Sequence, residues 1–595
     1  MLVLVGNKHA AAQSAANVLV IVNDASEASR TVSDYYIHKR NVPPANVCHV
    51  TTKTDETITR AEFELRIMQP IGRCITAAFA QDRILYIVLT KGMPIRIEGT
   101  TGREGTVASV DSELTLLYRR LLGVVVRPEG PVPNPYFLGA QPDSRGHPFT
   151  HERADIYLVT RLDGFTVDDV LKLIDHGMTD RTNGRIILDE KGHTPDKGNE
   201  WLAAAAKELK ALGFSGAELD TNDAPVTHKT AVMGYYSWGS NDPAIKIRHF
   251  DLAFVPGAIG AMYVSSDART LKEPPAEWTI GVWDKPATYY AGSPQSLMGD
   301  LIRDGITGVA GHVAEPYLDA TIRPDVLFPS YVVGATLAEA FYQAMPYLSW
   351  QTIVVGDPLC APFRQGVLAP DAIEKGIDVR TELPAIFSAR RLDLMTRSGV
   401  KVEAAAATLR AESRMNRQNV DGAIEALEQA TAAEPRLVAD QSLLATLYLS
   451  RNQYDKAVER YRKVVEITPN DVMALNNLAY TLAVQQNSPQ EALPFAQRAV
   501  ALAAKEPVIR DTLAWVQHLL KDDAEAMSSA RIASAGAPAN ADVRWHTAVI
   551  LAANNELADA QAELDAALKL NPKVGDTKEV QQLRERLAGD KGRRD

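Results

Sequence analysis

The sequence predicts an α/β domain with a mostly parallel sheet, followed by an all-α domain built from helical repeats. Three observations support this. From Asn17 to Phe363, short apolar runs alternate with helical stretches, a pattern typical of parallel strands joined by right-handed crossovers. Beyond Phe363 the strand-like runs stop, and from about Glu403 the chain is rich in alanine with a period of 34 residues. A chain of 595 residues is also too long for one hydrophobic core.

These patterns predict five segments. We expect a leader remnant or disordered stretch at 1–16, the α/β domain at 17–366 and a linker at 367–402. About five repeats follow at 403–573, and a capping helix with a charged tail closes the chain at 574–595.

The strands of the first domain are predicted from continuous apolar runs, which are typical of strands buried on both faces. The predicted strands are Val18–Val22, Asn46–Val50, Arg83–Leu89, Ile156–Val159, Arg185–Leu188, Ala231–Tyr236, Ala258–Val264, one that follows the turn at 305–309, and Thr352–Val355. The Gly- and Pro-rich stretch from Gly99 to His151 interrupts the alternation. We interpret it as an excursion over the carboxyl-end edge of the sheet, with a helix at Val110–Leu122.

Composition excludes some classes of protein. A net charge of −11 argues against a general nucleic-acid binder, and no run approaches the roughly 20 apolar residues that span a bilayer. Cys48, Cys74 and Cys360 lie in apolar contexts without a CxxC pair. We interpret them as small buried hydrophobes rather than a zinc site or a disulfide framework.

The amino terminus allows two interpretations. Five apolar residues at Met1–Val5 and the small residues around Ala10–Ala16 resemble a trimmed secretory leader, or they form a frayed terminus. A leader would favour a periplasmic or secreted location for the protein. A cytoplasmic location is the alternative if these residues form a frayed terminus.

The second half repeats a set of small and large residues. Ala457, Tyr461 and Val464 line one predicted helix, and equivalent residues recur on either side of it. Small residues at these positions let paired helices approach closely. The spacing resembles the tetratricopeptide family in about five copies. This resemblance implies a solenoid that binds a protein or peptide partner on its concave face; an array that only packs against its own α/β domain is the alternative.

Polar side chains follow several predicted strands, where ligands collect in open α/β sheets. A hydrolase at these strand ends would use Ser265 or Ser266 as nucleophile and His312 as base, with Glu315 or Asp163 orienting the base. No GxSxG elbow surrounds the serines, and serines after a strand commonly form turns. The other strand-end residues that we predict to bind a ligand are Asp111, Glu113, Arg161, Asp163, Trp238, Ser240, Asn241, Asp267, Arg269 and Asp357.

The same residues can also be structural. Asp111 and Glu113 could simply cap the helix that follows Ser109. The strand-end acids and His312 lack the tight spacing of a metal site, and no Walker A loop or Gly-rich fingerprint follows Val18–Val22. We therefore predict neither a metal site nor a cofactor.

The α/β half resembles an uncharacterised bacterial family found in genomes that encode exosortase-type surface-sorting systems. The motifs that carry this resemblance are VLVIVND, SRTVSDYYIHKRNVP, IVLTKGMPIRI, SVDSEL, TRLDG, YYSWGSND, PGAIGAMYVSSDART, GHVAEPYLD and SWQTIVVGDPL.

More distantly, the arrangement is similar to the caspase-like fold of gingipain-type cysteine peptidases, which also have a late Gly-Asp-Pro segment, here at Gly356–Pro358. The histidine of that family falls at Trp238 in this chain, and its cysteine falls near Ser265 or Ser266. The resemblance therefore implies a caspase-like domain that is not a cysteine peptidase.

Two functional hypotheses follow. The first is a scaffolding protein of the cell envelope or of exopolysaccharide and surface-sorting processes, whose caspase-like domain binds a ligand as a pseudoenzyme. The alternative is an envelope hydrolase that uses Ser265 or Ser266 with His312. An aromatic side chain at Trp238 favours binding over proton transfer.

Overall fold

The structure is a computed structural model that describes residues 13–123, 130–139, 145, 148–192, 196–364 and 377–594. Most of the predicted leader, and residues 367–376 of the predicted linker, lie outside these ranges. The chain divides into two compact units, residues 1–377 with 384–390 and residues 378–383 with 391–595.

The strands, in chain order, are β1 Val18–Asn23, β2 Val47–Val50, β3 Thr57–Ile58, β4 Tyr86–Thr90, β5 Arg96–Ile97, β6 Ala108–Ser109, β7 Val132–Pro133, β8 Leu158–Leu162, β9 Arg185–Asp189, β10 Ala217–Asp220, β11 Val232–Ser237, β12 Phe254–Met262, β13 Gly308–His312, β14 Tyr347–Leu348, β15 Thr352–Val355, β16 Ile377–Asp378 and β17 Leu383–Pro384.

The α-helices of the first unit, with the one that follows it, are α1 Glu27–Arg40, α2 Arg60–Phe63, α3 Gln69–Ala77, α4 Val110–Thr115, α5 Leu117–Leu121, α6 Val167–His176, α7 Lys197–Ala211, α8 Met298–Arg303, α9 Pro324–Val332, α10 Leu337–Gln343 and α11 Ala385–Arg397. The helix that the sequence predicted at Val110–Leu122 is present as the two short helices α4 and α5.

One ten-stranded sheet organises the first unit, in the order β10-β9-β11-β12-β13-β15-β8-β4-β1-β2. It is mostly parallel, as the alternation predicted; β13 and β15 are antiparallel, and β15 meets β8 at one bridge between Val355 and Arg161. The edge strand β10 has no counterpart in our prediction. Its sequence, AELD, is only partly buried and carries no apolar run.

The sheet is buried on both faces. Val18 and Val20 of β1 belong to one hydrophobic cluster, whereas Leu19 and Ile21 belong to another. Successive strand side chains point to opposite faces, so a strand covered on both sides carries apolar residues on both of its faces. This confirms the interpretation of Val18–Val22 as a doubly buried strand.

The prediction for the cysteines was partly wrong. Cys48 on β2 and Cys74 on α3 form a disulfide that closes 26 residues of chain, and Cys360 is a free buried thiol. No local CxxC motif marks this pair, because β2 and α3 are brought together only by packing of the helix on the sheet.

Another difference concerns the predicted linker. Residues 377–402 are not an irregular connection, because β16, β17 and α11 lie within them. The apolar side chains of α11 that direct it inward, such as Leu392, are separated by charged residues, and this weakens the pattern in the sequence.

The second unit consists of paired helices. The first helices of the pairs are α12 Val402–Asn416, α14 Val438–Ser450, α16 Val472–Tyr480, α18 Pro507–Leu519 and α20 Ala541–Ala553. The second helices are α13 Val420–Ala433, α15 Tyr454–Ile467, α17 Pro489–Leu502, α19 Asp523–Gly536 and α21 Leu557–Leu570. The last helix, α22 Lys578–Arg594, follows the fifth pair.

An alanine occupies the same position in the second helix of each pair. Ala423, Ala457, Ala492, Ala526 and Ala560 are all fully buried. They recur every 34 residues, apart from one interval of 35 residues between Ala457 and Ala492. A π-helical turn at Thr481–Gln485 extends α16 inside that interval. A π turn takes up one extra residue, so the insertion is absorbed there and the later repeats keep their register.

Within the described ranges, no helix is long and apolar enough to cross a membrane.

The disulfide can be tested by replacing both of its cysteines. We expect Cys48→Ala with Cys74→Ala to lower the free energy of unfolding of the α/β unit by about 3–4 kcal/mol, because the cross-link restricts the unfolded chain. Chemical denaturation measures this loss. A reductant should destabilise the wild-type protein and leave the double variant unchanged, and the denatured, unreduced wild type should show one reactive thiol. Three reactive thiols without reduction would contradict the bond.

Candidate functional site

A cavity of about 320 Å³ lies beyond the ends of β11 and β12. Its volume is at the low end of the range for small-molecule sites in proteins. The residues that line it are Trp238, Asn241, Tyr263, Val264, Ser265, Trp283, Glu315, Pro316, Tyr317, Leu318 and Thr321. Four of these side chains are aromatic, so the walls combine broad apolar surface with a few polar groups.

Trp238 forms part of the wall and is only 6% exposed. Its indole Nε1 donates a hydrogen bond to Oδ1 of Asn199 at 2.7 Å. Nζ of Lys191 lies 3.8 Å from the centre of its ring system, and the ring of Tyr263 lies 4.8 Å away. The side chain is therefore held rigidly, and only a small part of it faces the cavity.

Trp283 is the exposed aromatic residue of the cavity, with 57% of its surface accessible. It lies in the loop between β12 and α8, where Tyr289 donates a hydrogen bond to its carbonyl at 2.7 Å. Sequence reasoning missed it. The available signal was a tryptophan in a polar, strand-free stretch, which is unusual for a residue that normally becomes buried.

The loop after β11 is fixed by reciprocal hydrogen bonds. The backbone N–H of Ser240 donates to Oγ of Ser296, and the N–H of Ser296 donates to Oγ of Ser240, both at 3.0 Å. Nδ2 of Asn241 donates to the carbonyl of Tyr263 at 2.6 Å, and its Oδ1 accepts from Gln295 at 2.8 Å. Ser240 thus joins the loop after β11 to the loop before α8, whereas Asn241 joins it to the end of β12 and also faces the cavity.

His312 ends β13 and is buried. Burial lowers its pKa to about 4, so the ring is neutral near pH 7. Its Nδ1 lies 3.0 Å from the carbonyl oxygen of Val264. A carbonyl only accepts, so Nδ1 carries the proton and Nε2 is the free acceptor. Nε2 has no hydrogen-bond partner among the described residues.

Asp267 holds the strand of His312 through its backbone. Oδ1 of Asp267 accepts the backbone N–H of His312 at 2.7 Å, and its Oδ2 has no partner among the described residues. Burial raises the pKa of this carboxyl well above its usual range. The fully buried Asp267 is therefore a structural link between the segment after β12 and the end of β13 rather than an exposed ligand group.

The four residues predicted for catalysis lie in separate environments and do not form one site. Ser265 lines the cavity and is 8% exposed. Oγ of Ser266 donates to Gln295 at 2.8 Å, so it points into the loop before α8. Glu315 is exposed and accepts the N–H of Tyr317 at 2.9 Å. In the described ranges, no hydrogen bond joins any two of Ser265, Ser266, His312 and Glu315.

A separate polar cluster surrounds Arg161, whose guanidinium is fully buried on β8. Asp111 accepts two hydrogen bonds from it, at 2.9 and 2.6 Å, and Asp163 accepts a third at 3.2 Å. The carbonyl of Pro94 accepts another at 3.0 Å, and Lys91 contacts Asp163 at 3.2 Å. Burial raises the pKa of Asp111, and the guanidinium of Arg161 opposes that shift. None of these residues lines the cavity, so the cluster is an internal ion network.

Glu113 is bound from two sides, by Arg60 and by the hydroxyl of Ser349, each at 2.8 Å. The Glu113 carboxylate is buried. It is therefore not accessible to a ligand, contrary to the predicted binding role.

Asp357 and Arg269 also lie outside the cavity lining. Asp357 is buried, accepts from the Tyr36 hydroxyl at 2.8 Å and forms an ion pair with Arg40. Arg269 is half-buried; its pKa is lowered by burial, and the carboxylate of Glu56 acts in the opposite direction. In the part of the chain that the structure describes, no three acidic, cysteine or histidine side chains are grouped as a metal site requires.

The Arg161 network can be tested by removing one of its charges. We expect Asp111→Asn to lower the free energy of unfolding by about 3–5 kcal/mol, because it leaves a buried guanidinium with too little compensating charge. Chemical denaturation measures the change. Asp319→Asn is the matched control: it breaks an ion pair with Arg103 whose side chains are 65% and 56% exposed, and it should cost no more than about 1 kcal/mol. Equal losses for the two variants would contradict the role of the network.

Comparison with known proteins concerns the helical unit. Residues 445–486, from α14 to the π turn of α16, match the family model described as TPR repeat. No curated protein sequence matches the chain.

Several solved structures are similar to this chain at low identity. MamA is 18% identical with a TM-score of 0.25, over 28% of this chain and 97% of MamA. YrrB, described as a TPR protein with an unusual peptide-binding site, is 18% identical with a TM-score of 0.27, over 32% of this chain and 96% of YrrB. TTC0263, a thermophilic TPR protein of Thermus thermophilus, is 19% identical with a TM-score of 0.25, over 31% of this chain and 97% of TTC0263. The matched repeat and the regular helix pairs make the second unit a tetratricopeptide solenoid that follows an α/β domain.

Proposed function

We propose that this protein is a scaffold whose solenoid binds a partner protein, while the cavity of its α/β unit binds a ligand without cleaving it. The observation that carries the proposal is exposed apolar surface on the first helices of the solenoid. Met473 on α16 is 60% exposed, and Val508, at the equivalent position of α18, is 48% exposed. Apolar side chains in register on successive repeats are typical of a surface that a partner covers.

The cavity supports binding rather than peptidase chemistry. In the caspase-like fold that the sequence resembles, the histidine would stand at Trp238 and the cysteine near Ser265 or Ser266. The Trp238 indole is a donor that is already used by Asn199, and it has no titratable group for proton transfer. We therefore propose that the α/β unit is a caspase-like pseudoenzyme. Its long motifs further suggest a role in cell-envelope, exopolysaccharide or surface-sorting processes.

Site-specific photocrosslinking tests the docking function. We expect full-length protein with p-benzoylphenylalanine in place of Met473 to form a discrete high-mass adduct in its native host, because a partner covers that face. The matched control carries the same substitution at Ile532, which is 52% exposed on the second helix α19. Adducts of equal yield at both positions, or none at Met473, would overturn docking on the first helices.

A serine hydrolase is the second candidate, since Ser265 lines the cavity and neutral His312 has an unused Nε2. A fluorophosphonate probe separates the two functions. A binding protein should not be labelled, because no residue that the structure describes forms a hydrogen bond that would activate Ser265. Labelling of the wild type that disappears in Ser265→Ala with Ser266→Ala would establish the hydrolase instead, and His312→Gln should then also abolish it.

A further inference from the structure

The first helices of the third, fourth and fifth repeats carry an unusual set of side chains on one face. We call this set the aromatic–acidic face; its residues are Tyr480, Asp511, Trp515, Asp542, Trp545 and His546. The repeat register explains why they come together. Tyr480 and Trp515 occupy equivalent positions on α16 and α18, and Val508 and Asp542 occupy equivalent positions on α18 and α20.

The aromatic rings of this face are packed into one cluster. Trp515 stacks on His546 with ring centres 4.3 Å apart, and it meets Trp545 edge-to-face at 5.1 Å. Nδ1 of His546 bonds Oδ2 of Asp511 at 2.7 Å, and Nε1 of Trp545 donates to Asp542 at 3.3 Å. The three rings are almost fully buried, so they form a rigid base between α18 and α20, and Tyr480 is the aromatic residue of the set that is exposed.

Two buried side-chain oxygens, one on this face and one beside it, have no donor among the described residues, and Nε2 of His546 also has no partner there. Asp511 is 5% exposed, and its Oδ1 has no hydrogen-bond partner among the described residues. Asn476, at the equivalent position of α16, is 6% exposed, and its Oδ1 is also without a partner there. An unsatisfied buried acceptor is costly. Both atoms are acceptors, so a ligand that completes them must supply N–H or O–H donors.

Acidic side chains on this face favour a donor that carries a positive charge. Burial raises the pKa of Tyr480, and the carboxylates of Asp511, Asp542 and Glu579 raise it further. These acids therefore act together on the one partly exposed ring, which has 37% of its surface accessible.

Among the described residues, the arginines of α18 and α20 form no ion pair with Asp511 or Asp542. Arg510 donates to the carbonyl of Ala504, and Arg544 is paired with Glu563 on α21. Three carboxylates, those of Asp511, Asp542 and Glu579, therefore lie near the exposed ring of Tyr480, and acids beside an aromatic ring attract a cation.

We propose that the aromatic–acidic face binds a basic segment of the partner protein, a lysine or arginine next to an apolar residue. The cation lies against the exposed ring of Tyr480 among the carboxylates of Asp511, Asp542 and Glu579, and donors of the segment reach Asp511 and Asn476. The apolar neighbour packs on Val508 and Met473, which extend the same side of the solenoid. This inference rests on the proposed docking function and names the chemistry of the partner.

Selection from a phage library of random dodecapeptides tests the inference, with the full-length protein as the immobilised target. Enriched peptides should contain lysine or arginine beside an aliphatic or aromatic residue. The consensus peptide, synthesised and titrated by calorimetry, should bind at least tenfold more weakly to Asp542→Lys, and more weakly at higher salt. Asp565→Lys is the matched control: it makes the same charge change at an exposed position on the second helix α21, and it should alter the affinity less than twofold.

The outcomes distinguish this inference from the docking function itself. Enriched peptides that are acidic or uncharged, or that bind Asp542→Lys as tightly as the wild type, would leave docking intact and overturn the basic-segment inference. Absence of any enriched peptide would count against docking of extended segments and against this inference together. Glu579→Lys, on the capping helix α22, serves as a second variant if Asp542→Lys fails to fold, and the same tenfold loss is expected.

Discussion

The α/β unit depends on the compensation of one buried charge. The guanidinium of Arg161 lies within the sheet, and an isolated ion there would be strongly destabilising. Asp111, Asp163 and the carbonyl of Pro94 supply the compensation. They come from α4, from the end of β8 and from the loop after β4. One side chain therefore fixes the positions of three segments around β8, including the helix α4 within the excursion that the sequence predicted.

The solenoid depends on a different constraint, the close approach of paired helices. Fully buried alanines at one position of every pair set that distance. The single interval of 35 residues would shift every later side chain around its helix if α16 were regular. The π turn at Thr481–Gln485 takes up the extra residue. Because of it, Tyr480 and Asp511, on opposite sides of the insertion, still lie on the same side of the solenoid.

The sequence predicted the helices and strands better than it predicted the residues of the cavity. Polar residues at strand ends indicated a binding edge, but the pattern is the same whether a side chain faces a ligand or a buried partner. Arg161, Asp163, Glu113 and Asp357 are all bound within the protein, whereas Ser265 and Asn241 face the cavity. The exposed Trp283 belongs to a loop without periodicity, so nothing in the sequence pattern placed it at the same cavity.

The disulfide is a second contact that the sequence pattern did not reveal. The spacing of Cys48 and Cys74 indicated nothing, because their contact arises from packing of α3 on β2.

By itself, the sequence determined the two-part architecture, the doubly buried strands and the period of the repeats. These follow from local periodicity, since apolar runs and small residues recur at the spacing of strands and of paired helices. Only the tertiary structure decided which polar groups are neutralised internally and which remain open. Hydrogen bonds between residues far apart in the chain, such as Arg161 with Asp111 or His312 with Val264, depend on how strands and helices are placed in space. That placement left a cavity beside Trp238 and an aromatic–acidic face on the solenoid.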